Sequence, residues 1–217
     1  IILKNKNYLF IDGRYTIQSQ IESGKDFKIT NYDEIINCKL FKNLVLGIDP
    51  KLFTYNQIIK FFIKNNKIKF INKNLIDEIE SKKNINNFQF FSLNKNIVGE
   101  SSSSKINKIS SYLKKNKSDY LFISVPENVA WVLNIRGKDG PNSPIPNSRL
   151  IISKSKKVFL ISKIQKIKKI IKEKIINSKD LIDINDFQRK IQKLKGNNFI
   201  IDEKSCSIYF EDIISSK

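Results

Sequence analysis

Histidine is absent from this 217-residue sequence, and its absence rules out several kinds of active site. Without an imidazole there is no Ser-His-Asp or Cys-His arrangement, no His-containing zinc site and no use of the commonest general base. Cysteine is nearly as scarce. Cys38 and Cys206 lie far apart in no metal-like spacing, so we expect two reduced thiols and no disulfide framework. Catalysis within this chain would have to use carboxylates, lysine or tyrosine alone.

Long apolar runs are also missing. Runs such as residues 44–48 are far shorter than the roughly 20 residues needed to span a bilayer, and the first residues do not form a signal peptide. The 40% hydrophobic content is enough to bury a core in one large domain or two small ones. We therefore expect a soluble cytoplasmic protein with no membrane partner.

Acidic residues are outnumbered, and the formal net charge is +19. Such a charge makes nucleic acid a candidate partner. Isoleucine, lysine, asparagine and phenylalanine are abundant, however, while arginine occurs only at Arg14, Arg136, Arg149 and Arg189, a pattern typical of AT-rich coding DNA. The lysines are also spread along the whole chain, so we expect a solvated surface; nucleic-acid binding stays open as the alternative.

Strand-like and helix-like stretches alternate, which predicts an α/β fold. In the first half, an apolar strand at residues 44–48 is expected to be buried on both faces. Thr54 is the predicted N-cap of a helix that runs to residue 64. The remaining predictions for this half are strands at 8–11, 27–29 and around 68–70, and helices at 14–23 and 75–79.

The second half follows an Asn-rich and Ser-rich stretch at about residues 81–104, the best candidate for a domain boundary. Pro126 fits the first turn of a helix, where its missing N–H is not needed. The predicted helices are 104–115, 126–134, 163–176 and 205–214, and the predicted strands are 120–124, 150–152, 158–161 and 199–201. The chain thus divides into a first domain (1–85), a linker (86–103) and a second domain (104–217), each predicted to be a mixed sheet flanked by helices.

Three segments together resemble the Xaa-Pro aminopeptidase (aminopeptidase P) family. They are FIDGRYTIQSQIE at residues 10–22, LGIDPKL at 46–52 and ENVAWVLNIRGKDGPNSP at 127–144. Order and spacing agree over nearly the whole chain, although Asn147-Ser148-Arg149 replaces a more aromatic sequence. The resemblance implies two tandem creatinase N-terminal-like domains, the first lacking its start.

What the resemblance implies about function is a division of labour. Family members cleave the bond before proline with a third domain of the pita-bread fold, which holds two divalent ions, usually manganese. That ligand pattern is absent here, so we expect a fragment that is inactive alone, with no metal-binding or catalytic residue of its own. The expected partners are its own catalytic domain, a proline-containing peptide and, in the full protein, a second subunit. A free-standing assembly module is the alternative.

Arg136, Gly137 and Asp139 are the candidate functional residues. They occupy a Gly- and Pro-bounded loop that, by resemblance, faces the catalytic cleft and shapes the substrate entrance. The structural alternative for Arg136 is a salt bridge with Asp139 or a contact with a helix C-terminus.

Other residues in the matching segments are interpreted as structural. Trp131 is predicted to lie in the core, because large aromatic side chains dominate core burial. Asp12, Gly13 and Arg14 are predicted to form a turn that caps a helix, and Asn134 belongs to the same family pattern as Trp131.

Overall fold

The structure is a computed structural model that describes residues 1–35, 42–62, 66–71, 73–79, 88–140 and 142–217. The described residues form two compact units. The first contains residues 1–48 and 55–71, and the second contains residues 49–54 and 72–217. The predicted α/β class is confirmed by the alternation of helices and strands in both units. Cys38 and residues 81–87 of the predicted boundary region lie outside the described residues.

The first unit contains two pairs of parallel strands with helices between them. Among the described residues, strand β1 pairs with β2, and β3 pairs with β4, both in parallel. Its elements are β1 (Asn7–Ile11), α1 (Thr16–Ser23), β2 (Phe27–Asn31), β3 (Val45–Ile48), α2 (Tyr55–Phe61) and β4 (Lys67–Phe70), with short 3-10 helices at Gly13–Tyr15 and Tyr32–Ile35.

Strand β3 corrects one prediction. The run at residues 44–48 was expected to be buried on both faces, but burial alternates along the strand: Leu46 and Ile48 are buried while Val45 is 66% exposed. Alternation is the pattern of a strand that buries one face only, because successive side chains point to opposite sides. An apolar run of strand length therefore does not by itself reveal how many faces are covered.

The second unit is built around a five-stranded mixed sheet. Its first elements are α3 (Leu75–Ile79), β5 (Phe91–Ser92), α4 (Lys95–Val98), α5 (Ser102–Lys115), β6 (Tyr120–Ile123), α6 (Pro126–Leu133) and β7 (Ile135–Arg136). Next come β8 (Arg149–Ser153), β9 (Val158–Ile161), α7 (Ile164–Lys172), β10 (Leu181–Ile182), α8 (Phe187–Lys193), β11 (Phe199–Ile200) and α9 (Ile208–Ser215), with 3-10 helices at Ser178–Asp180 and Ile184–Asp186. The strand order is β10-β9-β8-β6-β11.

Strand β8 lies at the centre of this sheet and is antiparallel to both of its neighbours, whereas β9 pairs with β10, and β6 with β11, in parallel. Its side chains alternate between two hydrophobic clusters. Leu150 and Ile152 pack with residues of α6 and α7 on one face, and Ile151 packs with Phe187 and Phe210 on the other. Each fully buried aliphatic side chain of this kind contributes roughly 1.5–3 kcal/mol.

The predicted helix 163–176 is shorter in the structure. Helix α7 ends at Lys172, because the chain turns at Lys174, which has a left-handed φ of 58°. The sequence predicts that Ile164, Ile167, Ile171 and Ile175 form the apolar stripe of this helix. Ile167 is fully buried while Ile164 is 51% exposed, and Ile170, outside the predicted stripe, is the other fully buried residue of α7. Ile175, the last residue of the predicted stripe, therefore lies beyond the end of α7. The buried residues of the helix are Ile167 and Ile170.

Candidate functional site

The loop between β7 and β8 carries Gly137 and Asp139, while Arg136 is the last residue of β7; the loop folds back on itself. The Gly137 N–H donates to the Pro144 carbonyl (3.0 Å), and the Asp139 N–H donates to the Ile145 carbonyl (3.4 Å). A Cβ placed on Gly137 would lie 2.7 Å from Cα of Pro146, closer than real side chains approach. Glycine at position 137 therefore allows the two arms of this β7–β8 loop to touch.

Arg136 contacts the C-terminal end of α6. Its Nη1 donates to the carbonyl oxygens of Ile135 (2.8 Å) and Ala130 (3.3 Å). The Ala130 carbonyl belongs to the last turn of α6, at the negative end of the helix dipole, so a guanidinium is favourable there. The structure thus contains the helix-terminus contact that was the structural alternative for this residue.

Asp139 is held from two directions. Its Oδ2 accepts from the Asn147 N–H (2.7 Å), and its Oδ1 accepts from Nζ of Lys166 on α7. The Lys166 and Asp139 side chains are 12% and 9% exposed, so the pair is largely shielded from water. The ion-pair partner of Asp139 is therefore Lys166 and not Arg136, and this pair ties the β7–β8 loop to α7.

Trp131 is not a core residue, which corrects the prediction made for it. It is 57% exposed, because α6 buries Val129, Ala130, Val132 and Leu133 and places Trp131 on the opposite face. Its ring covers a lysine instead: Nζ of Lys105 lies 4.1 Å from the ring centroid. The aromatic side chain therefore covers a cation and does not fill the core.

Lys105 is the residue that the sequence did not single out. It is 2% exposed, and its Nζ donates to the Trp131 carbonyl (2.6 Å) and to Oδ1 of Asn134 (2.7 Å). Burial lowers the pKa of this ammonium. Asn134 sits at the left-handed C-cap of α6, and its Nδ2 donates to the Glu100 carbonyl (2.9 Å). One lysine among many on a basic chain gives no sequence signal of this role.

The predicted turn in the first unit is present in the structure. Asp12 caps the 3-10 helix at Gly13–Tyr15, and Oδ1 of Asp12 accepts from both the backbone N–H (3.0 Å) and Nε (2.9 Å) of Arg14. Hydrogen bonds from the Arg14 side chain lower the pKa of Asp12 to about 2. Hydrogen bonds between Asp12 and Arg14 therefore stabilise this turn.

A groove of about 740 Å³ runs along the β7–β8 loop. Lys138 and Asp139 are among its lining residues, and Nζ of Lys138 lies 4.8 Å from the ring centroid of Phe88. The groove is polar on the loop side and aromatic on the other. It is large enough for part of a short peptide.

The described residues do not fit a dinuclear metal centre. They contain no group of three or more His, Cys, Asp or Glu side chains placed to hold an ion. In the same residues no helix is long and apolar enough to cross a membrane. Cys206 is buried with a free thiol.

The second unit, with helices on both faces of a mixed five-stranded sheet, defines an α/β domain whose described residues carry no constellation of metal ligands. The pattern of the Creatinase/Prolidase N-terminal domain family matches residues 81–217, which is more than half of the chain. The chain belongs to this family.

Curated relatives are Xaa-Pro aminopeptidases. The chain is 27% identical over 183 residues to Xaa-Pro aminopeptidase 1 of Dictyostelium discoideum, a match that covers 74% of this chain and 29% of the relative. It is 28% identical over 167 residues to aminopeptidase P2 of Arabidopsis thaliana, covering 70% of this chain and 24% of the relative. The chain therefore spans less than a third of the length of these relatives.

A solved structure shares the fold. The X-prolyl aminopeptidase of Caenorhabditis elegans, described as a cytosolic enzyme with a di-nuclear active site, superimposes with a TM-score of 0.80 at 20% identity. The match covers 98% of this chain and 38% of that protein.

Proposed function

We propose that this chain forms the non-catalytic N-terminal part of a metal-dependent Xaa-Pro aminopeptidase, a hydrolase that releases the N-terminal residue before proline. In this proposal the chain shapes substrate access and assembly. Its partner is a C-terminal catalytic domain that carries two divalent ions, with manganese as the expected metal. The whole enzyme works in the cytoplasm as a homodimer on peptides with proline second.

One observation carries the proposal. The chain belongs to the Creatinase/Prolidase N-terminal domain family and aligns with less than a third of the length of Xaa-Pro aminopeptidases. The described residues also lack a group of three side chains that could hold a metal ion. A hydrolytic metal needs several such ligands as well as an open position for water, so the chemistry is assigned to another part of the enzyme.

The β7–β8 loop is proposed to face the substrate cleft. The close approach of Gly137 to Pro146 and the Lys166–Asp139 pair restrain the loop at these residues. A pre-formed wall suits a site that admits short peptides and excludes larger ones, since little ordering entropy is then lost on binding. In this proposal Arg136 positions the start of the loop, because its guanidinium already donates to a carbonyl at the end of α6.

Inactivity of the isolated chain is tested by a direct assay. The purified chain is incubated with a tripeptide that has proline second, in the presence of manganese, beside the C. elegans enzyme as positive control. We expect release of the first residue by the control alone. Turnover by the isolated chain would contradict the proposal.

The role of the loop is tested by NMR. The 15N-labelled chain is titrated with the same tripeptide and with a tripeptide that has alanine second. We expect the proline peptide to shift the amides of Gly137, Lys138 and Asp139, while the amides of β3 serve as internal controls. If millimolar proline peptide leaves the loop amides unmoved, the loop does not contact substrate.

A further inference from the structure

A cavity of about 270 Å³ lies at one end of the strands of the five-stranded sheet, where β9 ends and α7 begins. Because β10 is parallel to β9, the C-terminal ends of both strands lie here. The antiparallel strand β8 begins at the same end of the sheet, where Arg149 is the register partner of Ile161. Open α/β sheets bind ligands outside the carboxyl ends of their strands. The cavity therefore occupies a position favourable for a small ligand.

Arg149 brings an uncompensated cation to this cavity. Its Nη1 donates to Oδ1 of Asn147 (3.3 Å), and its Cζ lies 4.8 Å from the ring centroid of Phe210. Within the described residues its Nε is buried without a hydrogen-bond partner, and Arg149 belongs to none of their ion pairs. Burial lowers the pKa of the guanidinium. Arg149 is half-buried, and its buried N–H group is costly unless an acceptor satisfies it.

Ser162 adds a second unused donor. The residue lines the cavity, is 5% exposed, and its hydroxyl has no hydrogen-bond partner in the described part of the chain. A buried hydroxyl without a partner carries an uncompensated desolvation cost, which a ligand that accepts a hydrogen bond from it would offset.

The start of α7 faces the same space. This helix has nine residues, its N-cap Lys163 makes no side-chain capping bond, and its first turn contains no acidic residue. The first N–H groups of a helix have no intrahelical acceptor, and the helix dipole makes that end attractive to anions. Lys163 also lines the cavity and adds a positive charge.

The single carboxylate of the cavity does not balance these charges. Asp139 is paired with Lys166 and also accepts from the Asn147 N–H, so it is already satisfied. Arg149 and Lys163 therefore remain as excess cations around a space lined by three cations and one carboxylate. A neutral ligand would leave this excess charge uncompensated.

We propose that the cavity formed by Arg149, Ser162, Lys163 and the first turn of α7 binds the oxyanion group of a small molecule, a phosphate or a carboxylate. The Arg149 fork and the serine hydroxyl donate to its oxygens, as do the free N–H groups of α7. This arrangement suits the two or three outward oxygens of such a group. The cavity shares Asp139 with the wall of the groove along the β7–β8 loop, but the proposal does not depend on the proposed aminopeptidase function.

The test is an NMR titration of the 15N-labelled chain at constant ionic strength, with inorganic phosphate in one arm and acetate in the other, each replacing chloride. We expect saturable shifts of the amides of Ser162, Lys163 and Ile164. Arg149→Gln should weaken binding about tenfold and Ser162→Ala about threefold, as expected for the loss of a charge-assisted and a neutral hydrogen bond. Saturation in the phosphate arm alone assigns the site to phosphate; saturation by acetate as well extends it to carboxylates.

Arg189→Gln is the matched control, since it removes the same charge from an exposed arginine that is paired with Asp186 at 2.8 Å. Its affinity should equal that of the wild type. Absence of saturable shifts in both arms overturns the proposal, as does an equal loss in the Arg189 variant, which would indicate general charge attraction. If the Arg149 variant does not fold, Ser162→Ala decides in its place: undiminished affinity in that variant overturns the proposal.

Discussion

Lys105 connects α5 to the end of α6 through one buried ammonium. Its Nζ reaches the Trp131 carbonyl and Oδ1 of Asn134, under the Trp131 ring. A buried charge is costly to desolvate, and here two acceptors and an aromatic face offset that cost. Because Asn134 caps α6, this contact also fixes the chain as it enters the segment that leads to Arg136.

The first prediction concerns this lysine. Lys105→Met keeps most of the side-chain volume but leaves the Asn134 Oδ1 and the Trp131 carbonyl without their buried donor. We expect the free energy of unfolding to fall by about 1–3 kcal/mol. Lys114→Met, on an exposed position of the same helix, should change it by less than about 0.5 kcal/mol. Equal effects of the two substitutions in denaturant titrations would show that the buried contacts contribute nothing.

Cys206 is a second residue whose behaviour follows from burial. It is fully buried, and desolvation raises the pKa of its thiol to about 12, from the ordinary value of 9.0. Because the folded state holds this proton more tightly than the unfolded state, the thiol's contribution to stability is complete below pH 9 and is lost as the pH rises from 9 towards 12.

The second prediction is that Cys206 does not react while the protein is folded. In a Cys38→Ser background, a thiol reagent at about pH 8 should label nothing in the native protein and one thiol in guanidinium, because the thiolate is the nucleophile and burial suppresses it. Stoichiometric labelling of the native protein would show that the thiol is accessible. The difference in unfolding free energy between this background and its Cys206→Ala derivative should shrink between about pH 9 and pH 11.

At the scale of elements, the β7–β8 loop shows what a glycine contributes. The third prediction is that Gly137→Ala lowers the free energy of unfolding by about 1–3 kcal/mol, because the new Cβ would meet the Pro146 backbone at 2.7 Å. Gly140→Ala in the same loop is the control, since its nearest contact is an ordinary 3.6 Å. The thermal unfolding midpoints of the two variants are compared. A lower midpoint for Gly137→Ala alone indicates the close backbone approach, and an equal decrease in both variants indicates a general effect of loop flexibility.

Element positions were largely predictable, and their ends and faces were not. Pro126 predicts the start of α6 correctly, and the strands predicted at 150–152 and 158–161 are confirmed as β8 and β9, which pair in antiparallel orientation. The end of α7 was placed too late, because a left-handed turn at Lys174 has no sequence signal when the residue is a lysine. The prediction that Trp131 lies in the core is wrong, because helical periodicity does not show which side of a helix packs against the sheet.

For the molecule as a whole, attraction by net charge has to be distinguished from specific nucleic-acid binding. A net charge of +19 attracts any polyanion at low salt, and such attraction weakens steeply as salt rises. The fourth prediction is that the chain binds mixed-sequence DNA without saturation at low salt and not at all at about 150 mM salt, because its lysines are spread over the chain. Fluorescence anisotropy measures this. A saturable complex at that salt concentration would favour the nucleic-acid alternative instead.

The sequence by itself determined the α/β class, the order of most elements and the family resemblance, because periodicity and turn residues are local and the matching segments are contiguous. Only the tertiary structure decided which charges are buried and what they face: that Asp139 pairs with Lys166, that Lys105 binds the end of α6, and that Arg149 and Ser162 share one cavity. These relations join residues from distant parts of the chain, and no local pattern encodes which of many lysines or serines will meet a given partner.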